Sequence, residues 1–306
     1  MNRWHEMSEN LSSNNESSTD DPSQGEGRVE IEDVGGSSNL EPLLLIHGFS
    51  ATVATWDAVI DDLSERYDVQ LIKLRGHFGG DPFKEGIRPS FLALVDAVEE
   101  AMDEAGIESA HVAGNSLGGW IGMELGARGR ARSVVAMSPA GGWVRHPIAE
   151  LRIAPIFVIL RVTSKLGLPL RRFIARSAAL RRSAMALVLR HGERVAPKTV
   201  ENMIEGTARC PIFWAFLIPA LGKQTMLPRR FEQPVTFMWG TQDHILPLSF
   251  CADGWLQKFP DAKWQILPDV GHLTPLDVPE LTIAAIDDAV ARSKSVETGS
   301  DALKVA

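Results

Sequence analysis

The sequence predicts an α/β protein with a mostly parallel central sheet and helices on both faces. Three observations carry this. Apolar runs of strand length alternate with stretches of helical period, the order expected when crossover helices join parallel strands. The run Leu43-Leu44-Leu45-Ile46 is apolar at consecutive positions, as in a strand covered on both faces. Finally, Gly114-Asn115-Ser116-Leu117-Gly118-Gly119 passes from one such run, Ala110-His111-Val112-Ala113, into a helical pattern within about four residues.

The 306 residues are 44% hydrophobic, enough for one large core or for a core with an inserted lobe. The formal net charge of -8 argues against nucleic-acid binding by the whole chain. Cys210 and Cys251 fit neither a metal motif nor a disulfide framework. The opening residues, Met1-Asn2-Arg3-Trp4-His5, lead into polar sequence without the apolar core of a secretion signal. No apolar stretch is read as reaching the roughly 18 to 20 residues of a membrane span. The expectation is a soluble, cytoplasmic protein without a transmembrane segment.

In chain order, residues 1–27 form a polar tail too poor in apolar residues to order itself. Residues 28–34 alternate apolar and charged positions, as an edge strand does. After the strand at 43–46, Val53, Trp56, Val59, Ile60 and Leu63 recur at helical spacing. A strand at 69–73 ends in the Gly-rich loop 75–81, and 91–102 reads as an amphipathic helix. The strand and helix around Ser116 follow, then a strand at 134–137 ending at Ser138-Pro139.

From 141 to 230 no strand is legible, only helix-like stretches interrupted at Pro155, Gly167, Pro169, Pro197, Pro211 and Pro219. This segment reads as a helical insertion over the carboxyl ends of the strands. It holds 16 Lys+Arg against 4 Asp+Glu, a net of +12, leaving -20 for the rest. Its arginines either snorkel along solvated helix faces or make a basic lid attractive to an anionic ligand or membrane surface. The alternation resumes with a strand at 235–239, a helix at 247–259, a strand at 264–267 and a closing helix at 281–290. Residues 294–306 read as a polar tail. The predicted core is therefore 28–140 with 231–293.

The chemistry follows from where strands end. A serine hydroxyl needs a base to take its proton, most often a histidine oriented by a carboxylate. In an open parallel sheet, reactive groups collect past the carboxyl ends of strands. Ser116 lies at the tip of the strand-to-helix bend, at a helix N-terminus rich in positive partial charge. Asp243 follows the strand ending at 239, and His272 follows the strand ending at 267. The candidate catalytic set is Ser116 nucleophile, His272 base and Asp243 acid, in the chain order expected for this elbow. Asp269 and Asp277 are the alternative acids.

Of the remaining histidines, His244 and His77 are read as packing their loops, His111 as a core residue and His47 as shaping its turn. Ser138 is read as a turn residue. The oxyanion donors are expected to be the backbone N–H groups of Leu117 and Phe49.

These stretches resemble the α/β-hydrolase fold superfamily in its cap-bearing serine hydrolase branch. The resemblance rests on 43–49 (an apolar strand, then His-Gly-Phe), Arg75-Gly76-His77 and the elbow 114–119. Gly240-Thr241-Gln242-Asp243 with Pro247 and Gly271-His272 with Pro279-Glu280 complete it. It implies the same three residues, no metal and no organic cofactor, and a mostly helical cap inserted after the sixth strand. Members that open epoxides or remove halogens carry an aspartate at the elbow, so Ser116 points away from those activities.

The function expected is cleavage of an ester or thioester of an apolar acyl group through an acyl-enzyme. Segments 153–160 and 212–221 of the cap would form the acyl pocket of this small-molecule substrate. The elbow Gly-Asn-Ser-x-Gly-Gly also resembles that of carbon–carbon bond hydrolases acting on ring-fission products, the first alternative. A non-catalytic ligand-binding protein on the same fold is the second.

Overall fold

In the computed structural model, residues 31–33, 40–143, 149–220 and 227–304 are described. Seven strands form one sheet: β1 (Ile31–Asp33), β2 (Pro42–Ile46), β3 (Asp68–Ile72), β4 (Ala110–Asn115), β5 (Ala131–Met137), β6 (Val235–Gly240) and β7 (Lys263–Leu267). Their order is β1-β3-β2-β4-β5-β6-β7. β1 pairs antiparallel with β3, and the other six strands run parallel. The expected polar tail over 1–27 lies outside the described residues.

Helices cover both faces, as the unbroken apolar strands require. Leu44 and Ile46 of β2 join one core cluster, with Leu94, Val95, Leu117 and Ile121. Leu43 and Leu45 join the other, with Trp56, Leu63, Ala285 and Ile286. Between β2 and β3 the predicted helix splits into a 3-10 turn (Val53–Trp56) and α1 (Ile60–Ser64). α2 (Phe91–Glu104) precedes β4, and α3 (Leu117–Ala127) follows it.

The cap comprises α4 (Ala149–Gly167), α5 (Arg171–Arg176), α6 (Ala178–Met185), α7 (Pro197–Arg209) and α8 (Phe213–Ala220). It leaves the sheet after β5 and returns at β6, so among the described residues it follows the fifth strand rather than the expected sixth. Only β1 precedes β2 there, one strand fewer than that count assumes. Pro155 and Pro219 do not end helices as expected; both lie inside them. Pro155 is on an exposed side of α4, where the missing N–H costs a hydrogen bond but no core packing.

Three further expectations change. The helix predicted over 247–259 is two short ones, α9 (Leu248–Cys251) and α10 (Asp253–Lys258). The Gly254 N–H donates at 2.8 Å to the Gly142 carbonyl, outside the helix, which accounts for the break. After α11 (Thr274–Asp277), the closing helix α12 runs Pro279–Lys304 and includes most of the predicted polar tail. No proline stops it, and Ser, Lys, Glu and Ala continue a helix at little cost. Lastly, the helical run Leu151–Arg176 is long and apolar enough to cross a membrane by length and composition. This differs from the expectation of no such stretch, because in the sequence Pro155, Arg161, Lys165 and Pro169 interrupt its apolar positions.

Candidate active site

The site is built at the carboxyl ends of β4, β6 and β7. β4 ends at Asn115 and α3 begins at Leu117, so Ser116 alone makes the turn. Its backbone has φ +58° and ψ -116°, a region costly for any residue with a side chain. The turn is held by the Ser116 N–H donating to Met137 O at 2.8 Å, while Ser116 O accepts from the N–H groups of Trp120 and Ala140 at 3.1 and 3.0 Å. Gly118 is required by proximity: a Cβ there would stand 2.0 Å from the Ile46 carbonyl oxygen. Without that methyl group, α3 can seat against the end of β2 and bring its N-terminus to Ser116.

His272 and Asp243 meet. The His272 Nδ1–H donates to Asp243 Oδ2 at 2.7 Å, with both side chains almost wholly buried. The other carboxylate oxygen, Oδ1, accepts the N–H groups of Ile245 and Leu246 at 2.9 and 2.8 Å. Asp243 is thus fixed by its own turn, and the carboxylate sets the tautomer that leaves His272 Nε2 free to accept a proton. Among the described residues no hydrogen bond joins Ser116 Oγ to the imidazole. Both residues line the same cavity of about 80 Å³, and such contacts commonly tighten when substrate binds.

The alternative acids are engaged elsewhere. Asp269 is exposed and pairs with Arg190 at 2.5 Å and with His191 at 3.4 Å. Asp277 is buried and accepts backbone N–H groups from Gly271, Arg190 and His191. It thereby clamps the His272 loop to the cap. Val188 O in the same cap segment accepts the N–H groups of His272 and Leu273 at 3.0 and 3.1 Å.

The other histidines have structural partners or lie away from the site. His47 is buried; its Nδ1–H donates to Gly48 O at 2.9 Å and its Nε2 accepts from the Leu74 N–H at 3.3 Å. Burial pushes it down to about 4. His77 packs edge-on against His47 and Phe49, and burial together with the neighbouring imidazole lowers it to about 3. His111 is bound to the Ser133 hydroxyl at 2.8 Å inside the sheet, and His244 is exposed.

One residue escaped the sequence reading. Asn115, fully buried, donates through Nδ2 to His272 O at 2.9 Å and to Met137 O at 3.3 Å. It links the strand that presents the serine to the loop that presents the histidine. The local signal in the sequence is an amide at the end of a mostly apolar strand, one place before the serine.

The backbone of 48–49 lies beside Ser116: a Cβ on Gly48 would be 3.1 Å from Ser116 Cβ and 3.6 Å from its Oγ. Among the described residues, the N–H groups of Phe49 and Leu117 have no hydrogen-bond acceptor in the protein. Ser116 also borders a second, larger cavity of about 600 Å³. Its walls are mostly apolar, including Trp120, Ile153, Phe157, Phe216 and Leu217, and among the described residues Glu124 and Arg229 supply the charged groups. Phe49 and Phe157, edge to face at 5.2 Å, line both cavities.

A family model described as alpha/beta hydrolase fold matches residues 41–279. The sequence is 32% identical over 203 residues to the epoxide hydrolase EphH of Mycobacterium tuberculosis, an alignment covering 62% of this chain and 90% of that one. Among solved structures, a malate-bound thermophilic esterase from Thermogutta terrifontis superposes with a TM-score of 0.62 at 21% identity, covering 87% of this chain and 93% of the other. The enol-lactonase from Burkholderia xenovorans LB400 superposes with a TM-score of 0.62 at 18% identity, covering 86% and 96%. At such identities the two structures share the fold.

Proposed function

The chain belongs to the α/β-hydrolase fold family, and from that premise we propose that it is a serine hydrolase cleaving esters or thioesters of apolar acyl groups through an acyl-enzyme. The observation that carries this reading is His272, hydrogen-bonded to the buried Asp243, lining the same cavity as a serine in a strained elbow.

In this reading Ser116 Oγ attacks the acyl carbon while His272 Nε2 takes its proton. Asp243 holds the imidazole in the required tautomer and stabilises the imidazolium that forms. The N–H groups of Phe49 and Leu117 receive the oxyanion, and the helix N-terminus adds its positive potential. His272 then gives the proton to the leaving alcohol or thiol. Water, deprotonated by the same imidazole, releases the acid and restores Ser116.

The 600 Å³ cavity beside Ser116 and Leu117 supports an apolar acyl group, and the smaller cavity beside His272 supports a short leaving group. The cap segments expected to line an acyl pocket contribute Ile153, Ala154 and Phe157 together with Phe216 and Leu217. EphH is named for epoxide opening, a reaction that in this fold uses a carboxylate nucleophile at the elbow. The serine here supports acyl transfer instead.

The test is hydrolysis of a p-nitrophenyl ester series from acetate to laurate by wild-type protein and by Ser116→Ala. The reading expects turnover that rises with chain length and disappears in the variant. Equal rates in the two proteins, or turnover of styrene oxide without any ester hydrolysis, would refute it.

A further inference from the structure

The outer side of the cap carries exposed apolar residues on which none of the described residues packs. Along α4, the turn after it and α5, Leu151, Ile159, Val162, Leu166, Leu170 and Phe173 are each between 47% and 71% exposed. Within α4, residues 151, 155, 159, 162 and 166 recur every three or four positions and share one side of the helix. The other side carries Ile153, Phe157, Leu160 and Ser164, which line the two cavities at Ser116. A helix that is apolar on both sides suits two apolar neighbours, and among the described residues only one side has protein against it.

The segment's own charge is of one sign, although Arg171, Arg182 and Arg190 are paired with Glu205, Glu193 and Asp269 from neighbouring elements. Residues 151–192 contain nine Lys+Arg and no Asp or Glu. Lys165, Arg172 and Arg176 are exposed and make no ion pair among the described residues. Apolar residues fringed by cations are the composition of a helix lying in the interface of an anionic bilayer.

We propose that this face, centred on Leu166 and Phe173 with Lys165, Arg172 and Arg176 beside them, docks the protein on an anionic lipid surface. Charge selects this occupant. A two-fold contact with a second copy would set the same basic fringe against itself, whereas an anionic leaflet neutralises it. The helix lies on the surface rather than spanning it. Arg161 in α4 is buried, donates to Thr207 O at 2.6 Å and lies over the Phe213 ring at 5.0 Å, which ties this helix to α7 and α8. Docking would put the helix that walls both cavities directly against lipid. The proposal does not depend on the chemistry at Ser116.

Flotation of the full chain with vesicles of phosphatidylcholine alone, and of phosphatidylcholine with phosphatidylglycerol, tests it across a salt series. Size-exclusion chromatography runs in parallel. The proposal expects flotation with the anionic vesicles that weakens as salt rises, and little with the neutral ones. Lys165→Glu/Arg172→Glu should weaken binding by about five-fold or more for each charge changed. Leu166→Gln/Phe173→Gln should abolish it, with circular dichroism and thermal midpoint unchanged because both side chains face solvent. Absence of flotation with anionic vesicles overturns the proposal. So does undiminished binding by both variants, or a dimer dispersed by Leu166→Gln/Phe173→Gln in a protein that ignores lipid.

Discussion

The side-chain amide of Asn115 donates to the main-chain carbonyl of His272 at 2.9 Å, across 157 residues of chain. The end of β4 and the loop after β7 are not neighbours in the sheet, so this bond ties the histidine's loop directly to the serine's strand. Asn115→Ala should lower kcat by about 10- to 100-fold with KM within a few-fold, because the loop loses its register rather than its substrate contacts. The same change should destabilise the fold by about 1–3 kcal/mol, since two buried carbonyls lose a donor. Steady-state kinetics and urea unfolding read both effects. An unchanged kcat would remove Asn115 from a positioning role.

Asp243 and Asp269 offer a matched pair of substitutions. Asp243→Asn should cut kcat by about 10⁴ by favouring the wrong imidazole tautomer. Asp269→Asn, which breaks only an exposed pair with Arg190 and His191, should leave kcat within about two-fold. The opposite ranking in an ester assay would mean that the acid is misassigned.

The larger cavity predicts a chain-length limit. Ala154 contributes to its wall beside Ile153 and Phe157. Ala154→Phe should move the preferred p-nitrophenyl ester to a shorter acyl chain and leave acetate turnover nearly unchanged. A profile indifferent to this substitution would place the acyl group elsewhere.

Stability should fall as the solution is acidified from neutrality. His47 and His77 are buried neutral, with folded values lowered to about 4 and about 3. The unfolded chain takes up these protons near 6.5, so it binds more protons than the folded chain between there and the folded values. The stabilisation is complete above about 6.5 and is lost as pH falls toward 4 and 3. By pH 5 the loss should be about 2 kcal/mol for each histidine. Urea midpoints between pH 7.5 and 5 measure it, and a flat profile would contradict the burial of these rings in neutral form.

Much of this was legible in the sequence because the relevant residues follow simple patterns. β2, β4 and β6 are buried, mostly apolar runs covered on both faces, and each ends in a glycine-bearing turn. Ser116 and Asp243 are found by walking off the ends of β4 and β6, and His272 by walking off β7. Asn115 was not found because its role is a long-range bond to a carbonyl, which leaves no mark in local composition. The break between α9 and α10 was hidden for the same reason: the Gly142 carbonyl that takes the Gly254 N–H is more than 100 residues away. The outer face of α4 was obscured by Pro155, Arg161 and Lys165. In the fold these residues are respectively exposed, buried in the cap and set at the edge of the apolar face.

The central claim is that Ser116 carries the acyl group. Intact-mass analysis of the full chain after reaction with a fluorophosphonate, followed by peptide mapping, tests it most directly. The account predicts a single adduct on the peptide containing Ser116, lost in Ser116→Ala and strongly slowed in His272→Ala. An unmodified protein, or an adduct that persists on another residue in Ser116→Ala, would contradict it.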